Sequence, residues 1–212
     1  PKARGSVKDS SRRCVTGGEM HLEARNSHNQ HVRLEPLAER HRAELQVACA
    51  ADLAVWRDLY PHSMAPEHFD AGWDRMVNLA VAGSWIPFAV MVDGACVGMT
   101  SFIGPDAVNA SVEIGGTYYH PDHRGGPVNP ATKRLMLEHA FASGARRVQL
   151  NVDAINHRSR AAVLKLGAVQ EGILRQHRVV WTGRIRDTVV FSILAEEWPE
   201  VRARLDARLA GY

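Results

Sequence analysis

Apolar residues change their spacing repeatedly along this chain, and each change marks an element. Val32 and Leu34 alternate within 31–37 and predict a strand. Over 38–59, Leu45, Cys49 and Leu53 recur every fourth residue with Val55 and Trp56 close behind, which predicts a helix. Two prolines predict a loop over 60–66, and a second helix over 67–82 stops at Gly83. The period then shortens. Strands are predicted over 87–92 and 95–103, joined by an Asp93-Gly94 hairpin turn, and over 111–120 after the turn-rich Gly104-Pro105-Asp106. A helix over 130–143 takes Asn129 as its N-cap, Pro130 at its first position and Gly144 just beyond its end. A strand over 147–153, a helix over 157–166 between Asn156 and Gly167, and two strands around Thr182-Gly183 follow. Val201, Leu205 and Leu209 close the chain with a short amphipathic helix over 199–209.

This order predicts an α/β class in its α+β form: a mixed sheet of about seven strands with helices on both faces. Residues 31–212 form one domain, and a hydrophobic content of 45% over 212 residues is enough for one core. Residues 1–30 are polar and aperiodic and read as a disordered tail, the part before residue 20 partly as a processing remnant.

Charge alters this picture little. The net formal charge is +3, and the basic cluster Lys2, Arg4, Lys8, Arg12 and Arg13 is confined to the tail, where it reads as solvated. A nucleic-acid binder would rest on that cluster alone, so no nucleic-acid partner is expected. Three cysteines, Cys14, Cys49 and Cys96, make neither a disulfide framework nor a zinc pattern and point to a reducing compartment. The longest uncharged run, 78–92, is interrupted by Gly83 and Pro87 and falls short of the roughly 20 residues a bilayer demands. No signal-peptide pattern opens the chain. The expectation is a cytoplasmic protein with no membrane partner. His120 and His123 lack a third ligand at suitable spacing, so no metal is expected, and Cys96 between Ala95 and Val97 reads as a buried, inert thiol.

Chemistry concentrates between residues 112 and 166. The turn from His120 to Asn129 carries Arg124, Gly125 and Gly126 into a helix start, where unpaired N–H groups and the helix dipole favour an anion. Glycine lets a phosphate approach the backbone, and the Arg124 guanidinium suits its oxygens. Asn156 and Ser159 stand at the cap and third position of the next helix, where both serve as capping groups.

The runs Glu113-Ile114-Gly115, His123-Arg124-Gly125, Asn156-His157-Arg158-Ser159, Leu166-Gly167-Ala168, Glu171-Gly172 and Arg186-Asp187-Thr188, in this order, resemble the GNAT superfamily of acyl-CoA N-acyltransferases, and within it the RimJ/RimL branch named for acetylation of ribosomal-protein N-termini. The resemblance spans about residues 31–200. It implies a GNAT-like fold, a splayed and mostly antiparallel sheet, and acetyl-CoA as co-substrate without a metal. It implies direct transfer in a ternary complex to a primary amine, either a protein N-terminus or a small molecule, and a homodimer as one possible assembly. A small-amine acetyltransferase of the antibiotic or polyamine type, or a non-catalytic acyl-CoA-binding protein, is the alternative.

The resemblance also assigns residues. Arg124, Gly125, Gly126, Val128 and Asn129 hold the CoA diphosphate, although Pro127 stands where the family usually has Gly and has no N–H to donate. Backbone at Tyr118, Tyr119 and His120 meets the pantetheine arm, with the N–H groups near Tyr118 and Tyr119 polarising the thioester carbonyl. Asn156 touches the pantetheine, and Ser159 assists the departing thiolate. An amine must lose a proton before it attacks, and Glu113 is the first candidate base, on the same face of its strand as Thr117 and Tyr119 by alternation. Tyr60, Trp73, Trp181 and Asp187 are expected around the acceptor, with Asp187 the second candidate base. An acidic lining would favour a cationic small molecule, an open groove a peptide.

Overall fold

The computed structural model describes residues 19–212, and the expectations for the basic cluster and Cys14 lie outside the described residues. Strands β1 (Ser27–His28), β2 (Arg33–Pro36), β3 (Trp85–Val92), β4 (Ala95–Asp106), β5 (Ser111–Tyr119), β6 (Arg147–Asp153), β7 (Val169–Val179) and β8 (Ile185–Leu194) form one sheet in the order β1-β2-β3-β4-β5-β6-β8-β7. Neighbours run antiparallel except β5 and β6, which are parallel. Helices α1 (Arg42–Ala50), α2 (Leu53–Leu59) and α3 (Phe69–Val81) cover one face, where Leu45, Cys49, Trp56 and Phe69 cluster with Ala89, Met99 and Tyr118 of the sheet. Helices α4 (Val128–Ala142), α5 (His157–Leu166) and α6 (Trp198–Leu209) cover the other, where Leu137, Leu166 and Leu205 cluster with Phe102, Val148 and Phe191. The expected mixed sheet with helices on both faces is thus present.

Four expectations are corrected. The sheet has eight strands among the described residues, not about seven, because β1 joins β2 at its edge. Residues 19–30, read as part of a disordered tail, are placed: Met20 is buried in the core and His21 N donates to Ser143 O. The helix expected over 38–59 breaks into α1 and α2, because Asp52 turns its carboxylate onto the Val55 N–H and caps a new start. Leu53, counted on the apolar stripe, consequently faces solvent. Gly104-Pro105-Asp106 belongs to β4, and the reversal comes later, where Asp106 accepts from Asn109 N. The Asp93-Gly94 turn is as expected, with both residues at positive φ.

The feature that positions the site is a fork in the sheet. β5 and β6 pair only at Ser111–Arg147, Val112–Val148 and Glu113–Gln149, although β5 continues to Tyr119 and β6 to Asp153. β6 keeps its pairing with β8 as far as Asp153, and β5 keeps its pairing with β4 to Tyr119, so the sheet opens between them. A bulge bends β5 there: between the Ser101–Gly115 and Met99–Tyr118 pairs, Gly116 and Thr117 face the single Thr100. Gly116 has φ +58°, a conformation that disfavours a side chain.

Across from the bulge, β4 approaches closely. A Cβ on Gly98 would stand 2.1 Å from the Tyr118 carbonyl oxygen and 2.9 Å from the Tyr119 Cα, both backbone atoms. Gly98→Ala is therefore expected to destabilise the protein by about 1–3 kcal/mol, measured as a lower denaturant midpoint at unchanged slope.

Candidate active site

A cavity of about 510 Å³ occupies the fork, reaching from the start of α4 across to β7 and β8. At one end lies the turn before α4. Pro127, not Asn129 as expected, is the N-cap, because the helix begins at Val128 and its first bond runs from Ala131 N to Pro127 O. The N–H groups of Gly125, Gly126, Val128 and Asn129 have no acceptor among the described residues. Gly125, at φ +82°, and Gly126 have open space where a side chain would stand. Pro127 removes one amide from this cradle without filling it. The Asn129 side chain accepts from the Tyr119 hydroxyl at 3.2 Å.

Arg124 lines the cavity as expected, but its guanidinium is also engaged by protein groups. Its Nε donates to Tyr119 O at 2.8 Å, its Nη1 pairs with Asp52, and its guanidinium lies over the Tyr118 ring. Burial pushes the Asp52 carboxyl up, but the hydrogen bonds from Arg124 and Val55 outweigh it and hold the group below its usual range. The guanidinium thus anchors the turn to α2, and Arg124 lines the cavity together with Gly125, Gly126 and Asn129.

The two tyrosines divide. His120 N donates to Val97 O, so ladder alternation directs the Tyr118 amide into β4 and the Tyr119 amide to the open edge facing the fork. The expectation that Tyr118 and His120 also offer N–H groups to the cleft is corrected: the first is in the ladder, the second is bonded to Val97, and the His120 ring accepts from Asp122 N. The Tyr118 side chain is buried and donates to Ala48 O at 2.8 Å, and burial pushes its phenol up to about 12. Burial likewise raises the Tyr119 phenol.

Glu113 closes the fork, at the last paired position of β5. Its Oε2 accepts from Asn151 Nδ2 at 2.7 Å, and burial pushes its pKa up against the opposing Asn151 bond and the charges of Arg178, Arg186 and Lys133. Glu113 does not share a face with Tyr119. The bulge shifts the phase by one residue, so Glu113 sides with Tyr118, and Tyr119 joins the opposite core with Val128 and Ala131.

Sequence reasoning missed Lys133. It is 5% exposed, lines the cavity and donates to Thr117 Oγ1 at 2.7 Å. Thr117 Oγ1 also meets Thr100 Oγ1 at 2.8 Å, and the Thr117 carbonyl accepts from the Tyr60 hydroxyl. Burial pulls the Lys133 ammonium down to about 7, with Glu113 opposing. The available signal was a lysine on the buried stripe of a helix, three residues before Met136 and four before Leu137.

Asn156 caps α5 by accepting from Ser159 N at 3.0 Å, and both residues line the cavity as expected. Among the acceptor residues, Tyr60 lines the cavity. Trp73 does not: it is buried beneath α3 against Phe69. Trp181 lies outside the cavity lining, bonded through Nε1 to Trp56 O. Asp187 is exposed on the far side of β8, accepting from Gln176 N, while its neighbours Arg186 and Thr188 turn inward. A one-residue error on a strand exchanges its faces.

Comparison with known proteins bears on this geometry. Residues 31–169 match the family model described as an acetyltransferase (GNAT) domain. The chain is similar to a Bacillus subtilis (strain 168) protein named "Putative ribosomal N-acetyltransferase YdaF", 28% identical over 186 residues that cover 80% of this chain and 94% of that one. A GCN5-related N-acetyltransferase from Brucella melitensis superposes with a TM-score of 0.83 at 30% identity, covering 91% of this chain and 89% of its own. Mycobacterium smegmatis RimJ, solved in complex with CoA-disulfide, superposes with a TM-score of 0.73 at 26% identity, covering 85% and 89%.

Lys133 generates a pH prediction. Its amine has a value of about 7 when folded against 10.5 otherwise, so between these the unfolded chain holds more protons and stability rises with pH. Lys133→Met removes this deficit. It is expected to be more stable than the parent by on the order of 2–4 kcal/mol near pH 7, the gap narrowing towards pH 10, in denaturant titrations across that range. A gap that does not change with pH contradicts the assignment.

Proposed function

Because the chain belongs to the GNAT acetyltransferase family, we propose that it acetylates a primary amine directly from acetyl-CoA in a ternary complex, with its residues dividing the reaction as follows. The amides of Gly125, Gly126, Val128 and Asn129 at the start of α4 hold the diphosphate, an anion at a helix N-terminus. The facing edges of β5 and β6 beyond Glu113 receive the pantetheine arm as an added strand would be received. The Tyr119 N–H meets the thioester carbonyl and stabilises the negative charge that grows there when the amine attacks. Glu113, whose raised pKa brings it closer to the working pH, takes the proton that the amine must lose. Ser159, in the first turn of α5, faces the departing sulfur, which is also favoured by that helix terminus.

One observation carries this reading: β5 and β6 stop pairing after three residues and leave an unpaired amide, that of Tyr119, aimed into the gap. The name of the YdaF relative supports a ribosomal-protein N-terminus as one acceptor.

The test is release of free CoA thiol from acetyl-CoA with a panel of amines and peptides. Glu113→Gln is expected to lower kcat by about 10²-fold or more, and Ser159→Ala by a smaller factor. Unchanged rates in both variants remove those two roles, and absence of thiol release with every acceptor removes the activity.

A further inference from the structure

The end of the cavity around Glu113 is unusually basic. Arg75 of α3, Arg178 of β7 and Arg186 of β8 line it, together with His62 and His177. Only two acids line the whole cavity among the described residues, Glu113 and Asp153. Asp153 is already engaged, its Oδ2 paired with Arg184. Neither Arg75 nor Arg178 has a carboxylate within ion-pairing distance among the described residues, and Arg75 lies over the Trp85 ring, 5.3 Å from its centre. Arg186 is 7% exposed, and its Nε is buried without a hydrogen-bond partner, 3.8 Å from the shared Asp153 oxygen. Arg178 stands between the other two in charge: on top of burial it disfavours the charges of Arg75 and Arg186, the latter supported by Asp153 and Glu113.

Like charges held together with a buried donor left unsatisfied are costly unless an anion joins them. The donor's phosphates do not fill that need under the reading above. Their cradle follows Tyr119, six residues along β5 from Glu113, which is roughly 20 Å on a strand. The acceptor is the remaining partner. We infer that the acceptor is an acidic amine, whose amino group meets Glu113 while an accompanying carboxylate or phosphate is received by Arg75, Arg178 and Arg186. Guanidinium forks suit both anions. Such a lining disfavours polyamines, whose second positive charge would enter among three others. This inference rests on the acetyltransferase reading and deepens it.

The experiment compares paired acceptors that differ in one charge: β-alanine with β-alaninamide, and the peptide Ala-Asp-Ala-amide with Ala-Asn-Ala-amide, with spermidine as a cationic probe. CoA release is followed, and acetyl-CoA binding is monitored separately by thermal shift. The acidic member of at least one pair is expected to show a kcat/KM at least tenfold higher than its neutral partner, with spermidine lowest. Arg178→Gln and Arg75→Gln are each expected to reduce that preference tenfold or more through KM, with little change in kcat. Arg175→Gln, on the same strand but outside the cavity lining, leaves the preference intact. Preference confined to the peptide pair assigns the anion to a chain N-terminus, and preference confined to β-alanine assigns it to a small molecule. Equal or faster turnover of the neutral or cationic probes overturns the inference, as does failure to turn over either acidic probe while acetyl-CoA still stabilises the protein. Loss of acetyl-CoA stabilisation itself counts instead against the donor reading.

Discussion

The structure depends on backbone groups that the sheet leaves unpaired. A strand buried between two neighbours ordinarily satisfies its N–H and C=O groups on both sides. β5 does so on the β4 side along its length but on the β6 side only as far as Glu113. The bulge at Gly116 and Thr117 turns the strand away from β6, and the remaining edge opens onto the cavity. Each functional assignment follows from that opening: a slot for an extended polar arm, an amide at its wall, a carboxylate at its closed end and a helix terminus at its mouth.

Tertiary bonds hold the fork's rim in place. One carboxylate, Asp52, joins two of its parts: Oδ1 caps α2 through Val55 N, and Oδ2 pairs with Arg124. Arg124 also holds the Tyr119 carbonyl, which fixes the peptide group adjoining the amide that faces the fork. On the other side, the Tyr60 hydroxyl holds the Thr117 carbonyl, and Lys133 reaches Thr117 Oγ1 from α4. The bulge is thus gripped from both faces of the sheet. Burial raises the Glu113 carboxyl and lowers the Lys133 ammonium, and the charge of each opposes the shift of the other.

Local chemistry was legible in the sequence where a residue acts on its near neighbours. Asn156 caps α5 and Gly167 ends it at φ +97°, as their positions predicted, and Asp93-Gly94 makes the predicted hairpin. The alternation of apolar residues located the sheet and its helices because each element buries one face. What escaped was set by contacts distant in sequence. The partner of Arg124 lies 72 residues away, so its guanidinium could be read only as free. The bulge shifts the phase of β5 by one residue, which placed Glu113 on the wrong face relative to Tyr119. On β8 the inward residues are Arg186 and Thr188, not Asp187, because alternation exchanges the faces of neighbouring residues and nothing local in the sequence says which face is inward. Lys133 escaped because a lysine in a helix is ordinarily solvated.

Residue-resolved hydrogen exchange with and without acetyl-CoA tests the central claim most directly. The account predicts that acetyl-CoA slows exchange at the amides of Tyr119, Gly125, Gly126, Val128 and Asn129, while the Tyr118 amide, already within the β4 ladder, is protected in both states. Exchange at Tyr119 that is slow without acetyl-CoA, or unaltered by a saturating concentration of it, would contradict an open fork that receives the donor.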